Sequence, residues 1–342
     1  AATTSGDAPD IIWCARDELC GVLNAGALEP LENLFLGDWS EEDIADVDDA
    51  YFKFGEKDGK HYTLTLNKNC IVLYYREDLL KDAGLEVPKT WDDIVACATA
   101  LTGEDEATGQ MRYGLGQSFA TESNDPQLLL NYIVDKQGSL FNEDGTANWA
   151  NDTGVEAVNW TVDCINNGVT PKESVNTSIE DLYTEFAAGK YAMSIGSGVR
   201  LSTVRDAATF DGSTIQITTI PGNTIIDGWF AGIWSGSENK EMAGKFLEKM
   251  YSPESDQKWV ELGGQAPCRK STVENLEITD SNRYLETMIQ AFEEGWLPSN
   301  EMPFVGWKYD LNPAVQKVVT DGADPLAALE ECEDNFNTAN DR

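Results

Sequence analysis

Few residues of this chain have the types and spacing that covalent chemistry requires. A Ser–His–Asp or Cys–His nucleophile needs an imidazole, and His61, in the polar stretch Lys60-His61-Tyr62, is the only histidine. No loop of the form G-x-x-x-x-G-K-[ST] or G-x-G-x-x-G is present; Ser194-Ile195-Gly196-Ser197-Gly198 is glycine-rich but has the wrong spacing. With 60 acidic residues, some carboxylate pair will always suit a glycosidase, so such pairs discriminate nothing. What remains is recognition chemistry. The chain has ten tryptophans, flat apolar plates that cover C–H faces, while carboxylates and amides bond a hydroxyl rim. Trp13 ends a short apolar strand at its loop, where open α/β proteins place binding residues. Asp17 is expected in that loop, with a carboxylate able to accept two adjacent hydroxyls.

Composition narrows the partners. The formal charge of −36 repels nucleic acid and anionic membranes and suits a salty or extracytoplasmic setting. Seven cysteines without a C-x-x-C, beside one histidine, argue against structural zinc, and no calcium loop of the D-x-[DN]-x-[DN]-G type occurs. No metal or cofactor is expected. Cys70 and Cys97 sit in apolar patterns as small hydrophobes, whereas Cys14 and Cys20 flank a loop and are candidates for a disulfide in an oxidising compartment. No apolar run approaches the ~20 residues of a membrane span. Residues 1–9, AATTSGDAP, have neither the basic start nor the apolar core of a leader, which is expected to lie upstream or to have been removed.

These candidates have to be positioned by alternating strands and helices, the pattern of an α/β protein. Ile11–Trp13, Cys70–Tyr75, Tyr191–Ile195 and Thr214–Ile220 read as strands, and the unbroken apolar run CIVLYY suits a strand covered on both faces. Thr90 with Asp93 forms a capping box ahead of a helix through Trp91, Ile94, Val95, Ala98 and Leu101, which makes Trp91 a core residue. Helices through Val155–Ile165 and Ile179–Phe186 stop at Gly168 and Gly189. Met242, Phe246, Leu247 and Met250 mark one helix face; Ser252-Pro253 and Asp324-Pro325 each start a helix. Trp149, Trp160 and Trp259 fall in or near helical patterns and are assigned to packing.

Several blocks, in order, carry a resemblance. They are Gly6-Asp7-Ala8-Pro9-Asp10-Ile11-Ile12-Trp13 with Gly26-Ala27-Leu28-Glu29-Pro30-Leu31, and then LYYREDLLKDAGLEVPKTWDD from Leu73 to Asp93. Gly236-Ser237-Glu238-Asn239-Lys240-Glu241, Ser252-Pro253-Glu254, Gly264-Gln265-Ala266-Pro267-Cys268-Arg269-Lys270-Ser271 and Pro325-Leu326-Ala327-Ala328-Leu329 follow. Together they resemble the extracellular solute-binding proteins that feed bacterial ABC importers of carbohydrate, the maltose-binding-protein-like family. The match spans almost the whole chain. Members open with a strand, a helix and a second strand before the first of these blocks, so the resemblance implies a first lobe lacking that opening.

The resemblance implies a two-lobed α/β binding protein with a hinge and an interlobe cleft. The lobes would comprise residues 1–113 with about 231–280, and about 114–230 with about 281–342. Hinges would fall near 112–117, 222–230 and 280–300. It also implies a monomer without catalytic activity, outside the cytoplasm or held at the cell surface as a lipoprotein. Such a protein closes on a mono- or oligosaccharide and docks onto permease subunits. Trp229, in Asp227-Gly228-Trp229-Phe230-Ala231-Gly232, corresponds to a ring that commonly stacks on sugar, with Trp307 as a second plate. Asn67 and Asn69, just before the buried strand, are carried over as hydroxyl partners; Ser197 and Gly198 would offer a backbone N–H and a hydroxyl at the edge of the second lobe. Arg269, after the Pro267 turn, has the fork to hold hydroxyls or to clamp a lobe-closing carboxylate. A polyamine in an acidic cleft and a surface glycan hydrolase are the alternatives.

Overall fold

A computed structural model describes residues 8–47, 49–105, 108–120, 128–222, 224–296 and 311–340. In chain order the strands are β1 (Ile11–Ala15), β2 (Glu56–Lys57), β3 (Lys60–His61), β4 (Thr63–Arg76), β5 (Gly103–Glu104), β6 (Met111–Gly116), β7 (Tyr191–Ser197), β8 (Ile215–Thr219) and β9 (Ile226–Ile233). Helices separate most of them, as the alternating pattern predicts. The chain divides into two compact units. Among the described residues, one is drawn from 8–69 and 227–285, the other from 70–226, 286–296 and 311–340. The divisions thus fall inside β4, at the start of β9 and after Leu285. Residues 70–113, expected with the first lobe, cluster with the second unit.

In the first unit β1 pairs antiparallel with β9, which lies beside the leading half of β4. Leu64, Leu66, Ala231 and Ile233 form one wall of a core completed by Leu31, Phe35, Leu36, Val47, Leu247, Tyr251 and Cys268. Burying each large apolar side chain contributes about 1.5–3 kcal/mol. The helix Lys240–Met250 packs here through Ala243, Gly244 and Leu247. Gly244 permits the approach, since a Cβ there would lie 3.2 Å from that of Leu34. The expected Met242/Phe246 face is therefore turned outward: the two are 70% and 57% exposed.

In the second unit the trailing half of β4 pairs antiparallel with both β7 and β8, and β7 pairs parallel with β6. Cys70, Ile71, Val72 and Leu73 are wholly buried, as a run covered on both faces requires. The helix caps follow local chemistry. Thr90 and Asp93 form the reciprocal box before Trp91–Leu101, and Ser178 accepts the Asp181 N–H before Ile179–Ala187. Asp324 accepts that of Ala327 with Pro325 in the first turn. Gly168 and Gly189 adopt φ of 75° and 84°, the left-handed conformation that glycine takes most cheaply. Trp91 is buried, with its indole N–H donated to Asp135 at 2.8 Å. Trp149 is buried against Phe336, with ring centroids 5.1 Å apart. Trp160 is half-buried beside Trp91, whereas Trp259, assigned to packing, is 37% exposed. Among the described residues no helix is long and apolar enough to cross a membrane.

Candidate ligand-binding site

The first unit places two tryptophans side by side. In the β1–β9 ladder Trp13 lies opposite Ala231, and Ala15 opposite Trp229. Directly opposed residues share a face, as do alternate residues of one strand, so Trp13 and Trp229 are diagonal neighbours on one face. Such neighbours stand roughly 7–8 Å apart, within reach of one guest molecule. Farther along that face Ala231 and Ile233 are sealed by the core, whereas Trp13 and Trp229 remain 43% and 45% exposed. Two large rings left in water at the end of a closed core form a platform.

The neighbouring glycines serve backbone packing. A Cβ on Gly228 would lie 3.0 Å from both the Asn67 carbonyl oxygen and Tyr51 Cε1, and one on Gly232 would lie 2.7 Å from the Tyr62 carbonyl oxygen. β9 can press against β4 only because both positions lack side chains. The loop-like composition around Trp229 thus belongs to a tightly packed strand. Tyr51 pins it further by donating its hydroxyl to the Asp227 carbonyl at 2.9 Å, and the Asp227 carboxylate accepts the Gly228 N–H at 2.7 Å.

Asn67 is half-buried on β4, one strand from Trp229. Its amide N–H is donated to Gln265 Oε1, and its side-chain oxygen Oδ1 meets no donor among the described residues. Gln265 was not anticipated as a partner; its only signal was its place in the Gly264–Ser271 block. Asn69 is half-buried two residues farther along the strand. Asp17 lies in the first turn of the helix Arg16–Asn24, not in a loop, because the chain enters that helix directly from β1. Glu18 closes the turn by accepting the Ala15 N–H at 3.4 Å. Arg16 is buried, its guanidinium 5.1 Å from the centre of the Phe54 ring.

Arg269 has a different role from the one expected. It is 3% exposed, donates Nε to the Tyr251 carbonyl at 2.7 Å and Nη1 to Asp46 Oδ2 at 2.8 Å. Its guanidinium lies 5.1 Å from the Trp39 ring centre and 5.3 Å from that of Tyr251. Asp46 also accepts the Ser271 N–H and hydroxyl, at 2.7 and 2.9 Å. Burial alone would raise the Asp46 carboxyl, but these hydrogen bonds outweigh it and hold the group below its ordinary range. Arg269 is thus a buried clamp within the first unit, with its fork already committed. Nearby, burial pushes the Asp256 carboxyl up, partly offset by the N–H groups of Cys268 and Arg269, which it accepts.

The second unit also corrects the expectation for Ser197 and Gly198. The Ser197 N–H is donated to the Tyr183 hydroxyl at 2.8 Å, and its carbonyl accepts the Tyr74 hydroxyl at 2.6 Å. A Cβ on Gly198 would lie 3.1 Å from Cys70 Sγ and 3.3 Å from Met288 Cε. Both residues are interior packing elements rather than donors at an edge. Trp307 lies outside the described residues.

Other chemistry finds little support. His61 stacks on Phe52 with ring centres 3.8 Å apart, and its Nδ1 is 3.0 Å from Glu32. Cys20 is a free thiol that accepts a hydrogen bond from Asn24, so the Cys14–Cys20 bridge is not formed. Burial, reinforced by Asp163, pushes the Cys164 thiol up to about 12, which leaves it inert. Among the described residues no cluster suits a metal ion.

Comparison with known proteins agrees with this architecture. A putative binding protein of Brucella abortus is 25% identical over 275 residues, covering 78% of this chain and 64% of its own length. The maltodextrin-binding protein MdxE of Bacillus subtilis is 23% identical, covering 84% of this chain and 67% of its own. The chain therefore spans about two thirds of the length of these relatives. Among solved structures, an ABC transporter solute-binding protein of Thermotoga lettingae bound to α-D-tagatose aligns over 98% of this chain and 86% of its own, with a TM-score of 0.83 at 22% identity. The GacH receptor of Streptomyces glaucescens, solved unliganded and with acarbose, covers 99% of this chain and 86% of its own, with a TM-score of 0.84 at 19% identity. These likenesses establish the α/β fold of the two-lobed solute-binding proteins. The sequence pattern of the bacterial extracellular solute-binding proteins matches residues 1–284, and the chain belongs to that family.

Proposed function

We propose that this protein is the solute-binding component of an ABC importer and takes a mono- or oligosaccharide. The observation that carries the proposal is the pair Trp13 and Trp229, exposed together at the open end of one sheet face. Flat rings match the C–H faces of a pyranose, and a polar neighbour such as Asn67 suits its hydroxyls. Relatives and structural neighbours named for maltodextrin, tagatose and acarbose binding support the ligand class. In this reading the two compact units are the lobes, and the protein acts as a monomer outside the cytoplasm. It hands its ligand unaltered to a membrane permease. Titration with a carbohydrate panel, followed by tryptophan fluorescence and by an assay for new reducing ends, tests the proposal. Saturable quenching without new reducing ends supports a binder; release of reducing ends would replace it with a hydrolase. A polyamine-specific response that weakens steeply with salt would replace the sugar.

A further inference from the structure

Three stretches of the sequence have the N-x-S/T pattern: Asn151-Asp152-Thr153, Asn159-Trp160-Thr161 and Asn176-Thr177-Ser178. The fold treats them very differently. Asn151 caps the helix Asp152–Asn166: its Oδ1 accepts the Gly154 N–H at 3.0 Å. Its Nδ2 donates to Gln137 Oε1 at 3.2 Å and to Asn148 O and Oδ1 at 3.2 and 3.0 Å. A sugar on that nitrogen would replace one amide hydrogen and break part of this network in a half-buried site. Asn159 is exposed but sits mid-helix, and the hydroxyl-bearing Thr161 is wholly buried.

The third stretch has neither obstacle. Asn176 is exposed at the end of the 3-10 turn Lys172–Asn176, and no hydrogen bond to its side chain is found among the described residues. The backbone then runs extended, with φ −78° and ψ 126° at Thr177 and φ −77° and ψ 164° at Ser178. The Ser178 hydroxyl is half-buried and held by a cap, donating to Asp181 Oδ2 at 2.7 Å and accepting the Asp181 N–H at 3.1 Å. Opening one helix turn frees it.

We propose that Asn176 is an acceptor site for an N-linked glycan. The site needs a surface asparagine, a hydroxyl residue two positions on and an extracytoplasmic setting. The last of these rests on the function proposed above. In the transfer, Asn176 Nδ2 forms a bond to C1 of a sugar carried on a lipid diphosphate. The C1–O bond breaks, the lipid diphosphate leaves with the electron pair, and the amide proton passes to a base of the transferase. The glycan then extends into solvent from a side chain for which no hydrogen bond is found among the described residues.

The test uses the protein isolated from the cells that make it, after fractionation into cytoplasmic and extracytoplasmic material. Trypsin separates the sites cleanly, because cleavage after Lys172 and Lys190 leaves Asn176 alone in peptide 173–190. Asn151 and Asn159 share peptide 137–172. The expected result is extracytoplasmic protein whose peptide 173–190 carries the added mass of sugar residues, lost in Asn176→Gln, with peptide 137–172 unmodified. Extracytoplasmic protein with an unmodified 173–190 peptide overturns the glycan site and leaves the transport reading standing. Protein confined to the cytoplasm, with the same unmodified peptide, overturns both.

Discussion

Replacing Arg269 with alanine separates a structural clamp from a ligand contact. The guanidinium is 3% exposed, joins Asp46 and the Tyr251 carbonyl, and lies over Trp39 and Tyr251. Removing one member of a buried pair typically costs 3–5 kcal/mol, because the other charge is stranded. Asp46 is 17% exposed and keeps its two bonds from Ser271, so the loss belongs at the lower end, about 3 kcal/mol. At about 1.4 °C per kcal/mol for a chain of 342 residues, this lowers the thermal midpoint by about 4 °C. Arg269→Lys keeps the charge but loses the fork and should lie between. A double-mutant cycle with Asp46→Ala, read by urea unfolding, should give a coupling above about 1 kcal/mol. Sugar affinity of the folded Arg269→Ala protein should stay within about twofold. A variant as stable as the parent whose affinity falls tenfold or more would refute this account and return Arg269 to the ligand.

The same pair fixes a pH dependence. The folded Asp46 carboxyl titrates below its unfolded value of about 3.9, so its stabilisation is present above that pH and lost as pH falls through the folded value. The stability gap between parent and Asp46→Asn, measured by urea unfolding, should therefore narrow below about pH 4. Gly228→Ala puts a Cβ 3.0 Å from the Asn67 carbonyl oxygen and Tyr51, and should cost about 1–3 kcal/mol in the same assay. Glu333 accepts the N–H groups of Trp149 and Ala150, the latter at 2.8 Å. Glu333→Ala should remove about 1–3 kcal/mol, seen as earlier hydrogen exchange at Trp149 and Ala150.

Local chemistry made much of the fold readable. The Thr90–Asp93 box, the Ser252-Pro253 and Asp324-Pro325 starts and the stops at Gly168 and Gly189 each depend on neighbours a few residues away. The apolar run Cys70–Tyr75 is only the trailing half of β4, which begins at Thr63, where threonines, leucines and polar residues alternate instead of forming an apolar run. The site was less legible because its contacts are distant in sequence. Trp13 and Trp229 could each be named, but their shared face depends on the β1–β9 register. The fork of Arg269 looked available until Asp46 met it from the other end of the chain. The Ser197 N–H looked open until the Tyr183 hydroxyl took it. Composition shows which groups a chain owns; only the packing shows which are already spent.

The most direct test is calorimetric titration of the parent, Trp13→Ala and Trp229→Ala with the sugar that gives the strongest fluorescence response. Each ring is more than two-fifths exposed, so the variants should fold with nearly unchanged stability. Each should lose about 1–2 kcal/mol of binding, roughly 5- to 30-fold in Kd. Unchanged affinity in both folded variants would contradict the account, since the guest would then rest on some other surface.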